Sequence, residues 1–188
     1  MYTLKVISST VRPGRKGPIV AQWVVEKALA SGYFKVEFLD LGVVKLPLMD
    51  EKLHPSQQKY EHEHTKKWSA TIGEADAYIF VTAEYDHTYP APLRNALEYL
   101  VHEWAYKAGG IVSYGGVSAG TRAANGLKLD LATKKIVPLF EMVNIPFFEK
   151  MITDGKLVAN EVMDKAIEVQ FKELVKWTEG LKTIRAAK

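Results

Sequence analysis

The chain has 188 residues, 47% hydrophobic and 25% charged, which is the balance of a globular chain long enough to bury one sizeable core. Its formal charge of +3, with basic residues spread along the chain, argues against a nucleic-acid binder and leaves an anionic small ligand open. The absence of cysteine excludes disulfides, thiolate nucleophiles and cysteine metal sites, and no apolar run reaches the roughly 18 residues of a membrane span. The start, MYTLKVISST, lacks a charged head and a long apolar stretch. A secretory signal is therefore not expected, and a cytoplasmic protein is.

In chain order, residues 2–8 (YTLKVIS) read as a strand. Residues 18–31 read as a helix, with Pro18 near its first position and Ile19/Val20, Trp23/Val24 and Ala28 at helical spacing. KVEFLDL (35–41) is a second strand, 58–73 a polar helix and DAYIFVTA (76–83) a buried third strand. Pro90 and Pro92 open a helix carrying Leu93, Leu97, Leu100/Val101 and Trp104. GGIVSY (109–114) is a fourth strand, 119–136 a helix, NIPFF (144–148) a fifth strand and 160–182 a last helix. No linker, repeat or low-complexity segment divides the chain, so residues 1–188 form one domain. Strict alternation of strands and helices implies an α/β three-layer sandwich around a parallel sheet. Five strands suit the flavodoxin-like order 2-1-3-4-5, in which ligands sit beyond the carboxyl ends of the strands.

Three loops should meet there. The first, SSTVRPGRKGP (8–18), sets hydroxyls, glycines and cations before a helix N-terminus, where unpaired N–H groups suit an anion. It has neither G-x-x-x-x-G-K-[ST] nor G-x-G-x-x-G, which disfavours an ATPase or a Rossmann dinucleotide site. A solvated polar turn is the competing reading. The second, AEYDHTYP (83–90), ends a strongly apolar strand with two tyrosines, an acid and a histidine. These either wall a flat ring or pack between elements. The third, SYGGVSAGTR (113–122), has adjacent glycines that permit close backbone approach to a ligand or simply a tight connection. Together the loops describe one crevice with a phosphate end and an aromatic end.

SSTVRPGRKGP, EYDHTYPAPLRNALEYL with the following HEW, and SYGGVSAGTRA resemble the NADPH-dependent FMN reductase family, from about Leu4 to Leu139. The Glu-Tyr-x-x-x-Tyr-Pro-x-x-Leu-x-Asn-Ala run is the most specific part. The resemblance implies non-covalent FMN with its phosphate among Ser9, Thr10, Arg12, Arg15, Gly17, Pro18 and Ile19. It sets Glu84, Tyr85, Asp86 and His87 along the isoalloxazine edge, with Tyr89 close by, and Ser113, Gly115 and Gly116 as the third border. It also implies NADPH or NADH as donor, a small-molecule acceptor (quinone, FMN, azo compound or chromate), and a homodimer or homotetramer. The chain departs from the family pattern in one extra residue in the first loop, in Asp86 for the usual asparagine, and in Thr88 for a glycine. Asp86 sets a negative charge where reduced flavin would be anionic, which lowers the potential.

The expected activity is ping-pong hydride transfer from NAD(P)H to flavin N5 and on to the acceptor. The cofactor carries the chemistry, so no catalytic side chain is assigned, His87 included. A flavodoxin-type electron carrier is the alternative, disfavoured by the basic pI near 8.9, and a non-redox binding protein is another, since fold does not imply function. EHEH (61–64) reads as a solvated helix face with no metal, because residues two apart on a helix diverge. Leu100, Val101, Trp104 and Tyr106 are either dimer contacts or the end of the core.

Overall fold

A computed structural model describes residues 1–187. The main elements are β1 (Tyr2–Ser8), α1 (Gly17–Ala30), β2 (Phe34–Asp40), a short α2 (Leu41–Val44), α3 (Glu63–Gly73), β3 (Ala77–Ala83), α4 (Ala91–Glu98), β4 (Ala108–Tyr114), α5 (Thr121–Thr133), β5 (Val137–Ile145), and α6 (Glu161–Ala186). Between β5 and α6 lies a small hairpin, β6 (Ile152–Thr153) and β7 (Lys156–Leu157). The five long strands form one sheet in the order β2-β1-β3-β4-β5, and every neighbouring pair is parallel. This is the expected flavodoxin-like order.

β3 and β4 are buried at every position, which their unbroken apolar runs require of central strands covered on both faces. One face packs Val20, Trp23 and Val24 of α1 and Ile167, Phe171 and Leu174 of α6. The other packs Trp68 of α3, Leu93 and Leu97 of α4 and Leu127 of α5. The register pairs Ser8 with Val81, and Ala83 with Tyr114. The loops after β1, β3 and β4 therefore leave the sheet at one edge, side by side.

Four expectations are corrected. The fifth strand is Val137–Ile145 rather than 144–148, and Phe148–Met151 is a 3₁₀ turn entered through Phe147 at φ 47°. As a sheet edge, β5 is only partly buried, so its signal is weak, while Pro138 is tolerated near its start. Helix α5 stops at Thr133, not 136, and Ile136 is core. The polar helix begins at Glu63, and residues 45–62 run from a left-handed Lys45 through a short 3₁₀ turn, Pro55–Gln57, that ends at a left-handed Gln58. His62 thus stands outside helical geometry, and its ring stacks on His64 (centroids 5.2 Å, 8° apart) instead of diverging. No group of three metal-ligating side chains forms there or elsewhere among the described residues. The helix after Pro90 ends at Glu98, and Leu100 and Trp104, fully buried, finish the core.

Candidate active site

The three loops converge as the topology requires. In the first, the Ser9 N–H bonds to Val81 O (3.1 Å) and its hydroxyl to Thr82 Oγ1 (3.3 Å), so Ser9 is spent on joining β1 to β3. Residues 12–15 then turn, with Arg15 N–H on Arg12 O (3.1 Å) and Gly14 at φ 73°, a conformation that favours glycine. Helix α1 opens at Gly17 with Pro18 in its first turn and no side chain capping it. Pro18 has no N–H and the Ile19 N–H bonds to Lys16 O (3.0 Å), which leaves the Gly17 N–H without a backbone partner among the described residues.

The loop's cations go three ways. Arg15 turns to Asp40 on β2 (2.9 Å) and lies against Gly42, where a Cβ would collide with it. Lys16 pairs with Glu149 (3.3 Å). Arg12 has no carboxylate partner among the described residues and sits over the exposed Tyr85 ring, 5.8 Å from its centroid.

The hydroxyls are the more telling feature. Ser8 Oγ, Thr10 Oγ1 and the Tyr114 hydroxyl are buried and make no hydrogen bond of normal geometry among the described residues. All three surround the start of α1. A Cβ on Gly17 would lie 3.3 Å from Ser8 Oγ, 2.5 Å from the Tyr114 oxygen and closer still to Thr10 Oγ1. Burial pushes the Tyr114 hydroxyl up to about 12, against the opposing pull of its neighbour Thr10, so it remains a neutral donor at ordinary pH. Its ring is held edge-on by Phe148, 4.7 Å between centroids.

The second loop is a two-residue hairpin turn. Tyr85 N–H bonds to Thr88 O (2.8 Å) and Thr88 N–H to Tyr85 O (2.9 Å). The central residues Asp86 and His87 both have positive φ (47° and 66°), the pattern of a type I′ turn, for which aspartate is well suited. The N–H groups of Asp86 and His87 have no backbone partner among the described residues, and both residues are exposed. Tyr89 leaves the site: its ring is buried and its hydroxyl bonds to Asp130 on α5.

The third loop is bound to the second. The Glu84 carboxylate accepts bonds from Arg122 Nε (2.6 Å), Arg122 N–H (3.2 Å) and Ser118 Oγ (3.3 Å). Burial raises its pKa, but the bonds from Arg122 outweigh that and hold it below the ordinary carboxylate range. Gly120, at φ 75°, comes so near Tyr114 O that a Cβ would lie 2.9 Å from it. Ser113 lies behind the loop, its hydroxyl bonded to Ala119 O and Asn144 Oδ1 (2.8 Å each).

A cleft of about 140 Å³ joins the loops, lined among others by Thr10, Arg12, Glu84, Tyr85, Tyr114 and Gly115. Of the expected site residues it gathers Thr10, Arg12, Arg15, Glu84, Tyr85 and Gly115. Gly17 closes its end, Asp86, His87 and Gly116 stand exposed at the loop tips, and Pro18 and Ile19 continue α1. Ser9, Ser113 and Tyr89 are bonded elsewhere. Tyr114 and Phe148 also line the cleft and were not expected. Tyr114 ends a buried strand, where a tyrosine reads as core, and Phe148 falls in a segment that reads as strand.

This sheet order, with a ligand-ready loop at the switch point beside β1, is that of the flavodoxin-like proteins. Comparison with solved structures agrees. FerB, an NAD(P)H:(acceptor) oxidoreductase from Paracoccus denitrificans, superposes with a TM-score of 0.77 at 20% identity over 96% of this chain and 98% of its own. A model of the NADPH-dependent FMN reductase family matches residues 3–150. A curated NAD(P)H-dependent FMN reductase of Schizosaccharomyces pombe is 35% identical over 165 residues, 87% of this chain and 79% of the relative. Another, from a Nectria species, is 35% identical over 156 residues, 78% and 76% of the two chains. The chain belongs to the NADPH-dependent FMN reductase family. It is an enzyme of that class, an NAD(P)H-dependent flavin oxidoreductase.

Proposed function

We propose that the chain reduces quinones and similar small acceptors (free FMN, azo compounds, chromate) with NADPH or NADH, through non-covalent FMN held in the cleft. The observation that carries the reading is the set of unpartnered buried hydroxyls around the start of α1. Buried donors without partners are costly, and a phosphate supplies the acceptors they lack. The uncapped helix N-terminus and Arg12 add positive potential at the same end. The residues present therefore fit the phosphate of FMN.

The other end suits a flat ring. The free N–H groups of Asp86 and His87 supply backbone donors to ring heteroatoms, Tyr85 supplies an aromatic wall, and Gly115 and Gly116 allow close approach. Glu84 and Arg122 hold the two sides of that slot in register. FMN held there by the first-loop hydroxyls and the backbone of the second and third loops would supply the redox chemistry, that of a hydride acceptor and electron donor in a ping-pong reaction. The chain binds, orients and desolvates. His87 is assigned no acid or base role, since it stands exposed at the turn tip and no hydrogen bond orients its ring among the described residues.

On the far side of the first loop a second cavity of about 360 Å³ is lined by Val11, Leu41, Leu46, Leu48 and Pro92. Exposed Leu48 and Val43 adjoin it, an apolar surface that supports assembly of the chain as a homodimer or homotetramer. Among the described residues no helix is long and apolar enough to cross a membrane. The activity is proposed to be cytoplasmic.

The test is the visible spectrum of the purified protein loaded with FMN, before and after anaerobic NADPH. Bleaching of the flavin bands without any partner protein is the expected result. Bands that persist with both NADPH and NADH would favour the electron-carrier reading, and failure to take up FMN would remove the proposal.

A further inference from the structure

We propose that the Tyr114 hydroxyl is the donor that makes this site read a phosphate monoester, and hence prefer FMN to riboflavin. The inference rests on the FMN reading above. Ser9, the hydroxyl nearest in sequence to the expected phosphate loop, is bonded to Thr82, and Arg15, the expected second cation, is bonded to Asp40. Both are committed to the fold. What remains at the start of α1 is Thr10, Ser8 and, from a different strand, Tyr114.

Tyr114 differs from the other two in reach and in fixation. It comes from the end of β4, opposite the first loop, so it approaches α1 from the sheet side. Phe148 packs edge-on against its ring, and Phe148 N–H is tied to Gly115 O (3.4 Å). The hydroxyl is thus delivered by two rigid rings to a point beside Gly17, where Thr10 is the neighbour that acts on it and no bond of normal geometry holds it among the described residues. A rigid neutral donor beside a helix N-terminus bonds a phosphate dianion about twice as strongly as the neutral terminal alcohol of riboflavin. Tyr114 is a binding residue in this account, with no step of the reaction assigned to it.

The experiment titrates the flavin-free full chain with FMN and with riboflavin, following flavin fluorescence, for wild type and Tyr114→Phe. The phenylalanine keeps the ring against Phe148 and removes only the hydroxyl. The expected result is an FMN Kd raised about tenfold with the riboflavin Kd raised much less, and a shifted ³¹P resonance of bound FMN. Equal weakening of both flavins would make Tyr114 a packing residue, and an FMN Kd changed less than about twofold would remove it from the phosphate site; either overturns the proposal. If the variant does not fold, Thr10→Val takes its place in the titration: the two hydroxyls share one ligand, so it must lower the FMN-to-riboflavin preference, and an unchanged preference overturns the shared site. A wild-type protein that binds FMN and riboflavin equally would overturn the phosphate reading itself, a failure distinct from that of Tyr114.

Discussion

Glu84 and Arg122 join the loop after β3 to the start of α5 through two hydrogen bonds, one from the guanidinium at 2.6 Å and one from the backbone N–H at 3.2 Å. Glu84 is almost wholly buried while half of Arg122 is exposed. A buried carboxylate that loses its partner costs far more than an exposed ion pair contributes. Arg122→Ala removes the guanidinium and keeps the backbone N–H and Ser118 bonds, so it should lower stability by about 1 kcal/mol and widen the slot. Denaturant unfolding and an FMN titration check this: weaker FMN binding with an unchanged dissociation constant for inorganic phosphate is the expected split.

The same pair sets an acid limit. Glu84 is held below the ordinary carboxylate range in the folded chain. A group depressed on folding contributes stability that is present above its unfolded pKa, about 4.3, and is lost as pH falls through the folded value. The loss of stability between pH 5 and 3 should be shallower in Glu84→Gln than in wild type, measured by thermal unfolding.

Gly17 is where a side chain cannot stand. A methyl group there would lie far inside van der Waals contact with Thr10 Oγ1 and the Tyr114 hydroxyl. Gly17→Ala should lower FMN affinity at least about tenfold and cost roughly 1–3 kcal/mol of stability through overpacking. Gly14→Ala, in open space but at φ 73°, should cost about 1 kcal/mol and leave the affinity near wild type.

The turn at Asp86 and His87 owes its shape to backbone, not to imidazole chemistry. His87→Gly relieves a positive φ of 66°. It should stabilise the turn slightly and leave quinone reduction within tenfold of wild type. A larger loss in kcat, restored by imidazole, would assign His87 a proton that this geometry does not give it.

Lys107 titrates far from the site. Its ammonium is buried against Ile72 O (3.0 Å), Gly73 O (2.9 Å) and the Tyr78 hydroxyl (3.2 Å), and burial brings its pKa down to about 8. Between about 8 and the unfolded value near 10.4 the unfolded chain binds the extra proton, so this group makes stability rise with pH. Wild type should gain stability from pH 8 to 9.5 relative to Lys107→Met, measured by urea unfolding.

The alternation of apolar runs with helical periods was enough to specify the parallel sheet and its order, because burial on both faces forces unbroken apolar strands and right-handed crossovers leave few arrangements. The site loops were legible for the same reason: they lie where such a sheet must put them. Which side chains face the cleft was not legible. Ser9, Arg15, Ser113 and Tyr89 carry the right chemistry, yet their partners Thr82, Asp40, Asn144 and Asp130 lie 25 to 73 residues away in the chain. Tyr114 carries the signature of a core residue and ends unpartnered at the ligand loop because β4 stops level with β3. Periodicity records how a residue is buried along its own element, whereas the partner of a polar atom depends on which other elements arrive beside it, and only the packed chain decides that.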